Sequence, residues 1–369
     1  MHIPDGYLSP QTCAAAYAVA LPTCAIAARR VSRVVKTRNV PTLAILAALS
    51  FLIMMFNIPI PDGTTAHAVG GVLIAVALGP WAAVIAVSVA LLFQALLFGD
   101  GGVLAFGANA LNMAIVLPFV GYGVYRLVAG NAALTARRRI VAAALGGYAG
   151  INASALAAAI EFGIQPGLFH TSSGAPLYSP YHLSQTIPAM MLAHLTVAGA
   201  AEAILTGGVL AYLVKADPGR LAASHRGIPV SGDAPPRRRL TPARTALGFI
   251  AVMVVLTPLG LLAPGGAFGE DAPGDLDVKS LGLTTVPSGL AHYNSFWSHT
   301  LLGGYGLRDG QHASLAYVLS AVVGIAIVAV AIFAVGQILA RVARRRHPGD
   351  RSGLGAKSGS RDRSEPSHV

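Results

Sequence analysis

The chain begins Met1-His2-Ile3-Pro4-Asp5-Gly6, and a histidine in second place sets up a chelate. The α-amine of Met1, the backbone nitrogen of His2 and its imidazole can close fused rings on a single ion. Three nitrogens held near one plane favour square-planar or tetragonal metals, meaning Ni(II), Cu(II) or a Co(II) that adapts. Many chains carry such a histidine without binding anything, so the motif needs a partner. His67 supplies one: as a fourth in-plane nitrogen it completes a nitrogen set with Met1 and His2 that disfavours Mg(II), Mn(II) and tetrahedral Zn(II). Cu(II) would bind more tightly still, so discrimination against it must come from availability or cavity shape. The donors must be deprotonated, so affinity is expected to fall with acidification.

Other polar residues have a weaker claim on chemistry. Gln94, Asp100, Asn109 and Asn112 stand at the outer ends of two apolar runs. They fit a supporting shell that orients metal-bound imidazole and fit interhelical hydrogen bonds equally well. Asp5, before Gly6, reads as a turn-former that folds the N-terminus back. His194 and Glu202 share one face of an apolar helix, ~12 Å apart along its axis, and an ionisable residue in such a run is a functional candidate. Cys13 and Cys24 lie within the first apolar run and read as small buried apolar residues. No nucleophile–base constellation points to an enzyme. The string Gly355-Ala356-Lys357-Ser358 lacks the Gly before Lys that a phosphate-binding loop requires. ATP-driven transport would therefore need its ATPase on another chain.

The elements that must position these residues are membrane helices. Of 369 residues, 54% are hydrophobic and 11% charged, and the mean hydropathy is +0.63. Soluble domains carry about a quarter charged residues, so this composition is that of an integral membrane protein. The net charge of +11 sits in blocks beside apolar runs, a pattern of topology rather than nucleic-acid recognition. The start has no basic region before its apolar run, so the N-terminus is expected to be retained rather than cleaved as a signal peptide. Nine apolar runs fall near 10–28, 40–58, 67–78, 81–98, 103–128, 140–162, 185–214, 243–263 and 314–340. With the N-terminus outside and strict alternation, 24 of the 26 Lys and Arg lie on the cytoplasmic side. That predicts an extracytoplasmic N-terminus and a cytoplasmic C-terminus, with Met1, His2 and His67 on the outer face. The third run, ~18 Å as a helix, is too short for a ~30 Å hydrocarbon core. It is expected to begin at His67 inside a protein-lined cavity, as broken helices do in transporters. Pro59, Pro61 and Asp62-Gly63 end the second run.

Residues 215–242, with their prolines and Arg237-Arg238-Arg239, read as a cytoplasmic linker. They divide a seven-span unit (1–214) from a two-span unit (243–340). Residues 341–369 read as a disordered basic tail. The basic segments would face anionic lipid.

Several longer motifs carry a resemblance. The opening hexapeptide, His67, Gly79-Pro80-Trp81, the stretch Gln94 to Gly102 and the stretch Gly107 to Met113 resemble the CbiM/NikM family. These are the substrate-binding membrane components of energy-coupling-factor transporters for cobalt and nickel. The resemblance covers residues 1 to about 214. It implies a seven-helix fold and a metal site formed by Met1, His2 and His67. It also implies Ni(II) or Co(II) as transported substrate rather than cofactor, a transmembrane scaffold subunit and ATPase subunits as partners, and a bacterial plasma membrane as location. Residues 243–340 are similar to the NikN/PDGLE-type small subunit. Where that family has a Pro-Asp-Gly-Leu-Glu stretch, this chain reads Val286-Pro-Ser-Gly-Leu-Ala-His292, without the acidic residues. His292, Trp297, His299 and His312 make its outer loop a polar, solvated one. The rival readings are a self-sufficient proton-coupled carrier working through His194 and Glu202, and a membrane metal sensor.

Overall fold

Nine helices of eight or more residues order the chain among its described residues, which in this computed structural model are 1–34, 40–60, 65–216, 242–262, 267–307 and 310–346, with positions 221 and 228. In chain order they are α1 (Pro10–Val34), α2 (Val40–Met54), α3 (Gly71–Leu78), α4 (Pro80–Phe98), α5 (Phe106–Ala129), α6 (Arg137–Leu168), α7 (Leu183–Ala216), α8 (Arg244–Leu262) and α9 (Ala313–Arg346). Seven of them are long and apolar enough to cross a membrane. The Pro61 and Asp62-Gly63 turn, most of the 215–242 linker and the tail beyond 346 lie outside the described residues.

The two short helices are interior pieces. α2 has 15 residues and α3 has 8, against the ~20 a perpendicular span requires. Nearly every α3 side chain is buried, as expected of a helix that is apolar all round. α4 packs against both and is 67% buried over its span, whereas α8 is only 17% buried and lies at the periphery. α6 packs along α5 and α7. The α5–α6 contact is close because Gly121 and Gly146 face each other; a Cβ on Gly146 would lie 2.6 Å from the Gly121 carbonyl. Small residues of this kind let membrane helices approach. α9 runs against α2, and its Tyr317 hydroxyl donates to the Met55 carbonyl.

The third apolar run departs from expectation. Its helix starts at Gly71, not at His67. His67 instead follows a short strand, Thr65–Ala66, paired antiparallel with Ile58–Pro59. The reason is local. Glu202 on α7 accepts hydrogen bonds from the backbone N–H groups of Val69 (2.8 Å) and Gly70 (2.9 Å). Gly70 takes a left-handed conformation, φ +75°, which no preceding helical turn can run through. The carboxylate thus sits where helix α3 presents its unsatisfied N–H groups and its positive dipole end.

Candidate metal centre

The first nine residues turn back into the protein. Met1, His2, Ile3, Tyr7, Leu8 and Ser9 are all buried, so their backbone polar groups need internal partners. Ile3 donates its N–H to Asn109 Oδ1 at 2.8 Å and accepts from Asn109 Nδ2 at 3.0 Å and from the Gly102 N–H at 2.8 Å. Asp5 accepts from the backbone N–H of Val103 and of Ala105, both at 3.0 Å. Its carboxylate fastens the N-terminal turn to the α4–α5 loop, and burial pushes its pKa up against those bonds. Ser9 donates its N–H to Gln165. Ser154 on α6 donates to the Met1 sulfur at 3.5 Å, which seats the first side chain.

This docking brings His2 against His67. Their ring centroids are 4.9 Å apart with the planes tilted by 31°. Both rings are buried, and Nε2 of each has no hydrogen-bond partner. His67 Nδ1 lies 3.1 Å from the Ala68 carbonyl. A carbonyl only accepts, so Nδ1 carries the proton and Nε2 keeps its lone pair. His67 lies outside the membrane-spanning helices. Burial first, then the positive Met1 terminus and His2, hold its pKa well below the usual imidazole range. A neutral, buried imidazole with a free lone pair is a metal ligand in waiting.

The other two donors are held by carboxylates. The Met1 amine lies 2.9 Å from Glu270 Oε1. His2 Nδ1 lies 3.1 Å from Asp100 Oδ1. Chelation by His2 through its own backbone nitrogen uses Nδ1, the ring nitrogen nearer that backbone. Asp100 is itself held: Tyr305 donates its hydroxyl to Oδ2, and Gln94 Nε2 donates to the same oxygen and to Tyr305. Among the described residues no three His, Cys, Asp or Glu side chains gather as a metal site; the donors that gather include the chain's own terminus.

The family model for the cobalt uptake substrate-specific transmembrane region, CbiM, matches residues 2–220. The chain belongs to the CbiM family. It is 49% identical over 340 residues to a protein named as the fused nickel transport protein NikMN of Rhodobacter capsulatus, covering 89% of this chain and 95% of that one. Two crystal structures resemble it. One, titled a transition metal transporter, shares 55% identity with a TM-score of 0.56 and covers 62% of this chain and all of that one. The other, of a truncated transition metal transporter, shares 58% identity with a TM-score of 0.55, covering 58% of this chain and 98% of that one.

Within this CbiM-family frame, the four polar residues expected around the ligands divide. Asp100 reaches His2, Gln94 backs Asp100, and Asn109 clamps Ile3 beside it. Asn112 does not turn to the ligands; it donates to Glu161 on α6 at 2.7 Å. His292, Trp297, His299 and His312 are exposed, and Trp297 Nε1 donates to the Leu96 carbonyl on α4 at 2.9 Å. Cys13 and Cys24 are free thiols. Sequence reasoning missed Glu270 and Tyr305. Both lie in the loop between α8 and α9, and only their place in that polar loop offered any signal. The Val286–His292 stretch, though it lacks the acidic residues, forms a short helix whose Gly289 N–H donates to the Leu177 carbonyl and which packs over Gly6. The loop thereby covers the N-terminal turn.

Proposed function

We propose that this chain is the substrate-binding membrane component of an ATP-driven energy-coupling-factor importer for Co(II) or Ni(II). The ion is captured from outside by the Met1 amine, the His2 backbone nitrogen and imidazole, and His67. The observation that carries this reading is the buried meeting of the N-terminal Met1 and His2 with His67, whose Nε2 has no partner. The names borne by relatives, a nickel transport protein and a transition metal transporter, agree with it. The seven-helix segment up to about residue 214 acts as the binding unit. The segment from 243 to 340 acts as an accessory unit whose loop presents Glu270 and Tyr305. The charge distribution supports an extracytoplasmic N-terminus and a cytoplasmic C-terminus, and the location that goes with the family resemblance is a bacterial plasma membrane. A scaffold subunit and ATPases complete the importer. The proton-coupled carrier has less support, because both oxygens of Glu202 are committed to the backbone before α3.

Metal analysis of the purified full chain tests the reading. The protein should bind one Ni(II) or Co(II), and a residue inserted between Met1 and His2 should abolish that binding, as should His67→Ala. Unchanged stoichiometry and spectrum in the insertion variant would refute the terminal chelate. Transport by this chain alone in energised vesicles without ATPases would favour the carrier instead.

A further inference from the structure

A groove opens between α8 and the body of the bundle. Its walls come from α2, the end of α3, α7 and the start of α8, and it encloses about 640 Å³. α8 packs on α2 and α9 and faces α7 across the groove. The α7 wall is the stripe Ala201, Ile204, Leu205, Gly208, Val209 and Tyr212, whose spacing is that of a single helix face. The lining is graded. Ile45, Leu49, Leu205 and Ile250 make its deep part apolar, and among the described residues no charged side chain lines it. The polar lining residues Thr42, Tyr212 and Thr245 stand instead at the start of α2, the end of α7 and the start of α8, which meet at the groove's mouth. Basic residues stand at the same mouth. Lys215 is exposed and lies three residues beyond Tyr212, so it continues the α7 stripe; Arg244 directly precedes Thr245.

The groove has the depth of one membrane leaflet. From Ala201, near the middle of α7, to Tyr212 the stripe is ~16 Å of helix, about half of a ~30 Å hydrocarbon core. A partner helix crossing the membrane would need a groove through the full thickness. Water is a poor occupant, because an apolar space stays dry. We propose that the groove holds a single anionic phospholipid, with an acyl chain between α7 and α8 and its phosphate at Lys215 and Arg244. Basic pockets between membrane helices on the cytoplasmic side suit such headgroups, and the mouth lies on that side in the orientation proposed above. The bound lipid bridges α7 and α8 across the space between them, and so joins the α8–α9 segment to the seven-helix unit. This site is independent of the metal centre.

Phosphatidylglycerol and phosphatidylcholine probes with a photoactivatable acyl chain test this, each in phosphatidylcholine vesicles holding the full-length chain. The phosphatidylglycerol probe should label Leu205 and Phe249 about tenfold more than the phosphatidylcholine probe, the scale expected of two cations at an anionic headgroup. Lys215→Gln combined with Arg244→Gln should erase that preference. Gly208→Leu should remove the labelling at both positions, because a side chain added at Gly208 meets nothing within 4 Å and grows into the groove. Should either variant fail to fold, the comparison of the two probes on the unmodified chain decides. Equal labelling by the two probes would overturn the proposal, as would labelling spread evenly over the bundle and indifferent to Gly208→Leu. A photoactivatable residue placed at Phe249 should capture lipid in native membranes. Capture of a protein there would mark the groove as a subunit contact and overturn the lipid.

Discussion

The α-amine of Met1 and the carboxylate of Glu270, 269 positions apart, meet at 2.9 Å. Under the proposed chelate, an ammonium group cannot ligate a metal, so the amine would release its proton to solvent on binding while Glu270 stays in contact as a carboxylate. Once the proton has gone, the carboxylate remains as negative charge beside an arriving dication, which lowers the cost of bringing that charge into a buried site. The contact also ties the α8–α9 loop to the first residue. The loop and the terminus thus form one device.

Glu270→Gln keeps the shape and a hydrogen-bond acceptor but removes the charge. Ni(II) affinity should fall about tenfold, as for supporting groups at other metal sites, with little change in thermal stability because Glu270 is partly exposed. Isothermal titration of the variant beside the unmodified chain is the measurement. An unchanged affinity would leave Glu270 a surface ion pair of small consequence.

Asp5 is a fastener rather than a ligand. Its carboxylate takes the backbone N–H groups of Val103 and Ala105, and hydrogen bonds to charged groups contribute about 1.5–3 kcal/mol each. Asp5→Ala should release the N-terminal segment from the α4–α5 loop. Hydrogen exchange should rise at residues 2–9 and 102–105 together, with metal affinity reduced in parallel. Faster exchange confined to the loop, with residues 2–9 still protected, would count against a single fastener.

The pH dependence follows from the direction of the His67 shift. A depressed pKa means the folded protein refuses a proton that the unfolded chain accepts near the ordinary value of 6.5. Stability contributed in this way is present above that value and lost as the pH falls below it. The His67 ring should remain neutral at pH 6.5 in nitrogen NMR spectra of the protein without added metal, with unfolding temperature falling under further acidification. Half-protonation of His67 at or above pH 6.5 would contradict the burial argument.

Much of this was legible in the sequence because membrane chemistry is blunt. Apolar runs mark helices since the bilayer tolerates no unpaired backbone, and each of the nine runs has a helix in the structure. His2 was legible because its neighbour in the chelate is its neighbour in sequence. The start of α3 was not, since the residue that sets it, Glu202, lies 132 positions from Gly70 and no local signal in 67–71 announces it. Glu270 was hidden for a related reason. A lone acid in a polar loop has no periodicity, and only the return of the loop over the N-terminus gives it meaning. Asn112 shows the converse: placed with Asn109 at the end of the same apolar run, it turns to Glu161 on α6 instead.

Glu202 offers the sharpest separation between rival mechanisms. Its two oxygens accept from the N–H groups of Val69 and Gly70, just beyond His67, so it positions the ligand without touching it. Glu202→Gln puts an amide N–H₂ where one oxygen was, facing backbone donors, and leaves at least one buried N–H unpaired at a cost of about 1–3 kcal/mol. If the carboxylate is structural, unfolding temperature and metal affinity should fall together, with His67 loosened from its place beside His2. If it carries protons through a self-sufficient carrier, Glu202→Gln should stop transport yet leave binding stoichiometry, affinity and stability as they were. The geometry favours the first outcome, because both carboxylate oxygens are already committed to the backbone N–H groups that precede α3. Binding and melting measured on the same preparation decide between them.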